Sequence, residues 1–253
     1  MTLNIKQIET LADEYRDRLP SQTVHLTHYP VVLNKMIDHT LLKPEATPDQ
    51  VRQLCKEAGE YHFASVCINP IYVSLASKLL SGTDVAICTV IGFPLGATPW
   101  QVKVFEAKRA IHGGATEIDM VIPIGLLKGA DYKEVFTHIQ AVVEASHKNN
   151  ALVKVILEMA FLDRRQKIMA CLLAQSARAD FVKTSTGFGP GGATREDVAL
   201  MRCIVGNPEQ MGVKAAGGIR TLADAMGMIE AGANRLGTSS GVRIMHEAQA
   251  GNG

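Results

Sequence analysis

The sequence has no apolar run long enough to cross a membrane and almost no net charge. None of its windows holds the roughly eighteen consecutive apolar residues that a membrane-spanning helix needs. Lys and Arg number 26 against 25 Asp and Glu, so the formal net charge is +1. Such a balance produces no basic field for nucleic acid or for an anionic membrane surface. We therefore expect neither a membrane nor a nucleic acid to be a partner.

Cysteine and histidine patterns are also sparse. The five cysteines are an odd number and form no CxxC pair, and the first residues lack the basic-then-apolar order of a signal peptide. These features predict reduced thiols and a cytoplasmic protein. The eight histidines show neither HxH nor HExxH spacing, and the cysteines have no zinc pattern. We expect no metal and no cofactor.

What the sequence does contain is a repeated strand–helix rhythm. The chain has 253 residues, of which 47% are hydrophobic, enough for one large α/β domain. From Lys35 onward, short apolar runs alternate with helical stretches eight times, which is typical of a parallel sheet with crossover helices. Eight such units predict a (β/α)₈ barrel. An open doubly wound sheet is the alternative, but no GxGxxG follows the first strand.

The predicted boundaries follow from the apolar runs and from capping residues. Six strands are predicted at 35–40, 62–68, 85–91, 116–122, 152–157 and 234–237, and two more contain Lys183 and Lys214. Thr47 and Thr98, each followed by proline, are predicted helix caps, and further helices are predicted at 131–148 and 163–177. Residues 2–19 read as an additional helix. We predict an N-terminal helical extension at 1–34 packed on a barrel domain at 35–253.

The strongest chemical signal is a pair of lysines at matched positions of successive units. A short buried strand ends on Lys183 and leads into a glycine-rich loop at 187–194. About thirty residues later, Lys214 stands in a second strand that is followed by Gly217 and Gly218. A lysine at a strand end can simply extend its amine to solvent with no chemical role. Two at matched positions favour a shared site, because neighbouring strands lie about 4.8 Å apart.

Two such ammonium groups would repel each other. At a separation of about 4 Å and an effective dielectric near 20, the repulsion is about 4 kcal/mol. This corresponds to roughly three pKa units, enough to bring one lysine from about 10.4 to near 7, and desolvation acts in the same direction. A lysine that is neutral at physiological pH is a nucleophile for carbonyl groups, so the pair predicts Schiff-base chemistry.

Other polar residues fall where they could support this chemistry. Asp119 interrupts an apolar strand, and a carboxylate pointing into a barrel needs a cationic partner. It is predicted to pair with Lys214 or Lys183 and to move protons, the alternative being a solvated carboxylate. Asp38 and His39 lie on opposite faces of the first strand; we expect His39 to be packed. Supporting positions are predicted for Asp38, Cys67 and Lys154.

The glycine-rich loops predict a phosphate site. In (β/α)₈ barrels the active site lies at the carboxyl ends of the strands, and phosphate often binds at the loops after strands seven and eight. Backbone N–H groups of such loops and a helix N-terminus form an anion site, although glycine pairs also occur in ordinary turns. The candidate phosphate and substrate ligands are Thr184, Thr186, Gly187, Gly217, Gly218, Ser239 and Ser240.

Four segments together resemble the deoxyribose-phosphate aldolase family. They are 37–44 (IDHTLLKP), 117–122 (EIDMVI), 182–188 (VKTSTGF) and 213–220 (VKAAGGIR). The likeness extends from about Lys35 to about Ile244. It implies a class I (Schiff-base) aldolase on a (β/α)₈ barrel. Such an enzyme cleaves 2-deoxy-D-ribose 5-phosphate reversibly to D-glyceraldehyde 3-phosphate and acetaldehyde, without metal or other cofactor and often as a homodimer.

Carried over by position, the resemblance makes Lys183 the Schiff-base lysine, Lys214 the second lysine that lowers its pKa, and Asp119 the carboxylate of the proton relay. Two departures stand out. Met159 follows Glu158 where the family usually has threonine, which we expect to alter substrate contacts or water positioning at the rim. The sequence also ends without the C-terminal tyrosine of some members, which leaves its proton transfer to water or to Asp119 and Lys214.

Three other interpretations stay open at this point. A related Schiff-base aldolase would also use a lysine, with a different donor or acceptor preference. A metal-free phosphosugar isomerase or epimerase would share the phosphate loops and rely on carboxylates. A non-catalytic phosphosugar-binding barrel would bind the same ligands without turnover.

Overall fold

The computed structural model describes residues 4–18 and 32–250 and forms a closed barrel of eight parallel strands. The strands are Ile37–Leu41 (β1), Ser65–Ile68 (β2), Ala86–Ile91 (β3), Glu117–Val121 (β4), Leu152–Ile156 (β5), Phe181–Lys183 (β6), Gly212–Ala216 (β7) and Arg235–Thr238 (β8). Each strand pairs with the next one in the chain, and β8 pairs with β1. The predicted (β/α)₈ barrel is confirmed, and the open sheet is wrong.

Ten helices surround or extend the barrel within the described residues. They are Ile5–Arg18 (α1), Pro48–Tyr61 (α2), Val73–Leu79 (α3), Trp100–His112 (α4), Ile124–Lys128 (α5), Tyr132–His147 (α6), Arg164–Ser176 (α7), Arg195–Val205 (α8), Leu222–Glu230 (α9) and Gly241–Ala250 (α10). None of the described helices is long and apolar enough to span a membrane.

Local sequence signals explain most helix starts. The hydroxyl of Thr47 accepts a hydrogen bond from the Gln50 backbone while the Gln50 side chain accepts one from Thr47, the reciprocal cap that the sequence predicts at α2. Asp163 caps α7 in the same way. Thr98 does not cap α4, because that helix begins at Trp100 after Pro99 and the Thr98 hydroxyl has no hydrogen-bond partner. That prediction is wrong.

Two strand starts differ from the predicted ones by more than one residue, each for a local reason. Leu33–Met36 forms a turn of 3₁₀ helix, so β1 starts at Ile37. His62 has a left-handed backbone (φ 51°) that ends α2, so residues 62–64 cannot continue a strand and β2 starts at Ser65. The short helix α5 was not predicted.

The additional N-terminal helix packs against α7. Ile8 and Ala12 are buried in the core cluster, and Asp13 accepts a hydrogen bond of 2.8 Å from the Arg165 guanidinium. The end of the predicted helix at 19–21 and most of the rest of the extension lie outside the described residues. The proposed division at residue 34 stays a prediction.

The hydrophobic core lies between the strands and the helices, and alternation along each strand separates it from a polar interior. On β4, Ile118 and Met120 are fully buried in the core cluster, while Glu117 and Asp119 belong to the opposite face. Each fully buried aliphatic side chain of this shell contributes about 1.5–3 kcal/mol. The shell fixes which side chains point inward, and those inward side chains build the site.

Candidate active site

The barrel interior contains a cluster of ionisable side chains to which every strand contributes. Its members, called here the inner cluster, are Asp38 (β1), Cys67 (β2), Cys88 (β3), Glu117 and Asp119 (β4), Lys154 (β5), Lys183 (β6), Lys214 (β7) and Arg235 (β8). All are buried except Arg235, whose side chain is still only 15% exposed. The sequence-predicted residues Lys183, Lys214, Asp119, Asp38, Cys67 and Lys154 all fall within this cluster.

Asp119 is the junction of the inner cluster. Its Oδ2 accepts hydrogen bonds of 2.8 Å from both Lys183 Nζ and Lys214 Nζ. Its Oδ1 accepts one of 2.9 Å from Lys154 Nζ and one of 3.1 Å from the Cys88 thiol. Lys183 and Lys214 are register partners on β6 and β7, so strand pairing brings their amines to the same carboxylate oxygen.

Asp38 supports Lys214 from the other side. Its Oδ2 lies 2.5 Å from Lys214 Nζ and 3.6 Å from Lys154 Nζ, and its Oδ1 accepts a hydrogen bond of 2.7 Å from Arg235. His39 is packed, as predicted: its ring lies tilted against that of Phe63 at a centroid distance of 5.1 Å and an interplanar angle of 53°, and its Nε2 pairs with Glu57 at 2.7 Å.

Glu117 and Arg235 were not predicted as members of the site. Glu117 lies 2.5 Å from Lys154 Nζ and also accepts from Arg235 at 3.2–3.3 Å. The Arg235 guanidinium additionally lies over the Phe181 ring, 5.4 Å from its centroid. Period-two alternation places Glu117 on the same face as Asp119, so a signal for this residue existed in the sequence.

The charges of the inner cluster shift the titration of its members. Burial alone would raise the pKa of Asp119, but Lys154, Lys183 and Lys214 outweigh it and hold that pKa well below its usual range. Burial alone would lower the pKa of Lys214, but Asp119 and Asp38 outweigh it and raise that pKa. The two ammonium groups are not bare, because the carboxylate of Asp119 accepts a hydrogen bond from each of them. The predicted simple repulsion is therefore an incomplete description.

The inner cluster also brings possible metal ligands together. Ligand atoms of Cys67, Cys88 and Asp119 lie within 4.8 Å of one another, as do those of Asp38, Cys88 and Glu117. Sequence spacing could not reveal these groups, because the ligands come from different strands. Both carboxylates of β4 already bind Lys154, so a metal ion would have to displace an ammonium group and add charge to a cluster rich in cations.

One cavity opens onto this cluster at the carboxyl ends of the strands. It has a volume of about 390 Å³. Lys183 is the inner-cluster residue that lines it among the described residues. Lys43 and Arg220, which are exposed, add positive charge to its wall, and no acidic residue lines it within the described ranges. The cavity therefore combines one buried amine with a wall suited to an anion.

The predicted phosphate ligands divide into two groups. Thr186, Gly187, Gly217, Gly218 and Ser239 line the cavity. The two glycines after β7 have φ of 92° and 85°, a conformation that favours glycine. Thr184 and Ser240 are not among the lining residues. The Thr184 hydroxyl is instead engaged by the backbone of Ala216, with two contacts of 3.0 Å.

Glu158 holds the loop after β6 in place. This residue is buried, and its Oε2 accepts a hydrogen bond of 2.5 Å from the Thr186 hydroxyl. The Thr186 backbone N–H also points to both oxygens at 3.3 Å. Glu158 has a φ of 56°, which is costly for a residue with a side chain. Such strain at the cavity edge is consistent with a positioning role for Glu158.

Met159 does not reach the cavity. Its side chain is fully buried in the core cluster, and its backbone N–H donates to the Thr184 carbonyl at 3.0 Å. The side chain of Met159 therefore belongs to the hydrophobic core and does not line the rim, and its effect on substrate contacts stays a prediction.

The segment Gly237–Gly241 has the GxSxG spacing of a serine nucleophile on a strand-to-helix turn. Ser239 at its centre lines the cavity and is exposed. No histidine lines the cavity within the described residues, and the Nε2 of His39 is engaged by Glu57. The segment lacks the general base that a serine nucleophile requires.

Fold and site together define a (β/α)₈-barrel protein with an amine-bearing pocket. Residues 32–247 match the DeoC/LacD family aldolases. Deoxyribose-phosphate aldolase from Thermoanaerobacter sp. is 59% identical over 214 residues, covering 84% of this chain and 95% of the relative. The enzyme of that name from Thermococcus gammatolerans is 60% identical over 217 residues, covering 85% and 96%. The chain belongs to the DeoC/LacD aldolase family, and it is a lyase.

A solved structure agrees with this assignment. The deoxyribose phosphate aldolase from Aeropyrum pernix superposes with a TM-score of 0.81 at 34% identity, covering 98% of this chain and 99% of the other. That protein is described as a tetramer.

Proposed function

We propose that this protein cleaves 2-deoxy-D-ribose 5-phosphate to D-glyceraldehyde 3-phosphate and acetaldehyde through a Schiff base on Lys183. The observation that carries the proposal is the position of this lysine. It lies at the boundary between the inner cluster and the cavity, so its amine is the one that a bound carbonyl group can reach. Lys154 and Lys214 lie deeper and are held by two or more carboxylates each.

The covalent steps start at C1 of the open-chain sugar. The uncharged amine of Lys183 adds to the aldehyde carbon, and loss of water yields an iminium ion. The C2–C3 bond then breaks: its electron pair moves into an enamine over C1 and C2, and C3 becomes the aldehyde carbon of glyceraldehyde 3-phosphate. Protonation of the enamine at C2 and hydrolysis release acetaldehyde and regenerate the amine.

The proton from the C3 hydroxyl needs an acceptor at the cavity floor. We assign this role to a water held by Asp119 and Lys214, whose side chains share one contact of 2.8 Å. Asp119 is suited to passing protons because its carboxylate touches both lysines. Asp38 keeps Lys214 charged and oriented, which preserves the donor for the later protonation of the enamine.

The phosphate group is assigned to the cationic side of the cavity. Lys43, Arg220 and the backbone N–H groups of Gly217 and Gly218 supply charge and hydrogen-bond donors there. Anchoring the phosphate on C5 fixes one end of the sugar in the cavity. The carbonyl carbon C1, at the other end, is then held against Lys183. Such positioning converts the attack into an effectively unimolecular step.

The same geometry disfavours two of the alternatives. A phosphosugar isomerase that relies on carboxylates would need one facing the substrate, and no acidic side chain lines the cavity in the described ranges. A phosphosugar-binding barrel without turnover has no use for a buried lysine in contact with a shared carboxylate. A related aldolase with a different acceptor would keep the amine and change only the wall of the cavity.

Borohydride trapping tests the proposal directly. The protein is incubated with acetaldehyde, reduced with borohydride and digested, and the peptides are mapped by mass spectrometry. We expect an ethyl group on Lys183 in the wild type and in Lys56→Met, an exposed control, and none in Lys183→Met. Label on Lys214, or on no lysine, would refute the assignment. A retro-aldol assay on phosphorylated and unphosphorylated deoxyribose then tests the substrate.

Assembly and location are also proposals. The family resemblance favours a homodimer, whereas the relative from Aeropyrum pernix is described as tetrameric. Size-exclusion chromatography with light scattering distinguishes these states. The five free cysteines favour the cytoplasm.

A further inference from the structure

The ion pair of Glu117 and Arg235 has no part in the mechanism above. Neither residue lines the cavity, yet both are held in the inner cluster by three contacts of 2.5–3.3 Å to Lys154 and to each other. Arg235 also donates to Asp38, the partner of Lys214. Arg235 is therefore linked through Asp38 to Lys214. Glu117 is linked through Lys154 and Asp119 to Lys183.

The fixed charges of the inner cluster do not balance. Lys154, Lys183, Lys214 and Arg235 are four cationic side chains, whereas Asp38, Glu117 and Asp119 are three carboxylates. The two thiols, Cys67 and Cys88, are neutral when protonated. A buried site with one unmatched positive charge is costly, and a titratable group relieves the cost by changing its charge state.

The contacts show where an uncharged amine costs the cluster least. Lys154 contacts three carboxylates and Lys214 contacts two. Arg235 also contacts two, and its guanidinium does not deprotonate in proteins. Within residues 4–18 and 32–250, Lys183 contacts a single carboxylate, Asp119. A neutral amine at Lys183 therefore removes the excess charge while giving up the fewest ion contacts.

We propose that Glu117 and Arg235 are positioning residues that set the charge balance of the inner cluster and thereby decide whether the amine of Lys183 is free to react. This inference rests on the proposed function of Lys183. It assigns a function to two residues at the amino ends of β4 and β8, on the side of the interior away from the cavity.

The proposal predicts shifts of opposite sign for two substitutions. Glu117→Gln removes a negative charge from the inner cluster, which increases its excess of positive charge and favours the neutral amine of Lys183. The acid limb of the pH profile of the imine-formation rate therefore moves to lower pH. Arg235→Met removes the excess positive charge and favours the ammonium form of Lys183, so the acid limb moves to higher pH. Each shift should be about one pH unit, the effect of a unit charge roughly 10 Å away at an effective dielectric near 20.

Two further variants separate charge from structure. The double variant Glu117→Gln with Arg235→Met restores an excess of one positive charge, and its limb should return toward that of the wild type. Arg235→Lys keeps the charge and should leave the limb close to the wild-type position. A purely structural role would lower activity in every variant without an ordered displacement of the limb.

The thiol of Cys67 is another group that could absorb the excess charge, whereas burial raises the pKa of the Cys88 thiol and keeps it protonated. Its hydrogen bond with Cys88 lowers the pKa of Cys67 against the opposing effect of burial. Cys67→Ser tests this route: we expect its limb to stay in place. Movement of that limb to lower pH by as much as in Glu117→Gln would assign the balancing negative charge to Cys67 and overturn the proposal.

The measurement is the rate of borohydride-trapped imine formation with acetaldehyde between about pH 5 and 9, alongside kcat and KM for the retro-aldol reaction. Circular dichroism and thermal unfolding show which variants fold, and Glu196→Gln, on the exposed face of α8, is the matched surface control. Shifts of the same sign in the two single variants, or no shift, would overturn the inference. Absence of trapping in the wild type would instead refute the proposed function.

Discussion

Lys183 and Lys214 donate hydrogen bonds of equal length, 2.8 Å, to one and the same oxygen, Oδ2 of Asp119. Strand pairing places the two lysines opposite each other, and the carboxylate offsets the repulsion that bare ammonium groups would have. The shared oxygen links the charge state of one amine to that of the other. Removing Asp119 therefore has consequences for both lysines.

Asp119→Asn should abolish most activity while the barrel still forms. The substitution removes the carboxylate that moves the proton and leaves buried ammonium groups with one partner fewer, so we expect kcat/KM to fall by about 10²-fold or more. Steady-state assays of the retro-aldol reaction measure the loss. Asp49→Asn, on the exposed start of α2, serves as the matched control and should keep full activity. Activity of Asp119→Asn within threefold of the wild type would contradict the assigned role.

Arg220→Met should discriminate between phosphorylated and unphosphorylated sugars. This exposed arginine lines the cationic side of the cavity, and loss of a charge-assisted hydrogen bond costs about 1.5–3 kcal/mol. We expect KM for deoxyribose 5-phosphate to rise at least about tenfold and kinetics on unphosphorylated deoxyribose to stay unchanged. Arg52→Met on α2 is the control. An equal effect on both sugars would place the phosphate elsewhere.

Glu158→Gln tests the support of the loop after β6. A glutamine offers one acceptor oxygen where Glu158 now offers two to Thr186, so the loop should loosen and KM should rise about tenfold. Thr186→Val removes the partner hydroxyl, and the double variant should cost little more than either single one. Fully additive effects would show that the two residues act separately.

His138 should make stability sensitive to mild acid. Burial, with a smaller contribution from the charge of Lys103, lowers the pKa of His138 to about 4 from its usual 6.5. The unfolded chain then binds more protons between about pH 6.5 and 4, so the stabilisation present above pH 6.5 is lost as the pH falls through this window. The loss should reach about 3 kcal/mol by pH 4. Glu134, whose carboxylate lies 3.7 Å from Nε2, is the acidic neighbour.

Denaturant unfolding across this pH range, for the wild type and for His138→Phe, measures the effect. The variant should show a flatter dependence between pH 6.5 and 4. His112→Phe on α4, at an exposed position, is the control. An unchanged slope in His138→Phe would assign the acid sensitivity to other groups.

Met159→Thr should destabilise the protein without changing its kinetics. The substitution leaves a cavity and buries a hydroxyl in an apolar cluster, at a cost of about 2 kcal/mol. Met159→Leu should cost less than about 1.5 kcal/mol. Thermal unfolding and kcat/KM are measured together, and a change in KM for Met159→Thr would show that residue 159 reaches the substrate after all.

Most of the fold could be predicted because each strand–helix unit has its own local signals. The β2 start was missed because His62 adopts a left-handed conformation that the pattern of apolar residues does not reveal. Thr98 looked like a cap from spacing alone, but the helix starts one residue later than that spacing required. Both errors concern backbone conformation at single residues rather than the order of the elements.

The site was predicted where a charge interrupts an apolar run, as at Asp119. Glu117 and Arg235 were missed because they stand at the amino ends of their strands, where a charged residue is ordinarily solvated. Closure of the barrel brings Arg235 on β8 beside Asp38 on β1, residues 197 positions apart in the chain. No local pattern carries that contact, since it depends on how the whole sheet closes.

The separation between strand-borne and loop-borne groups has a practical consequence for engineering. Lys183, the proposed Schiff-base lysine, and its neighbours in the inner cluster stand on β1 to β8, whereas most of the polar cavity wall comes from the connections that follow the strands. We therefore expect mutant libraries confined to Lys43, Phe188, Arg220 and Ser239, which line the cavity, to alter which aldehydes are accepted while the inner cluster stays unchanged. New substrate selectivity on this barrel therefore calls for substitutions in the loops that form the cavity wall, with the inner cluster left unchanged.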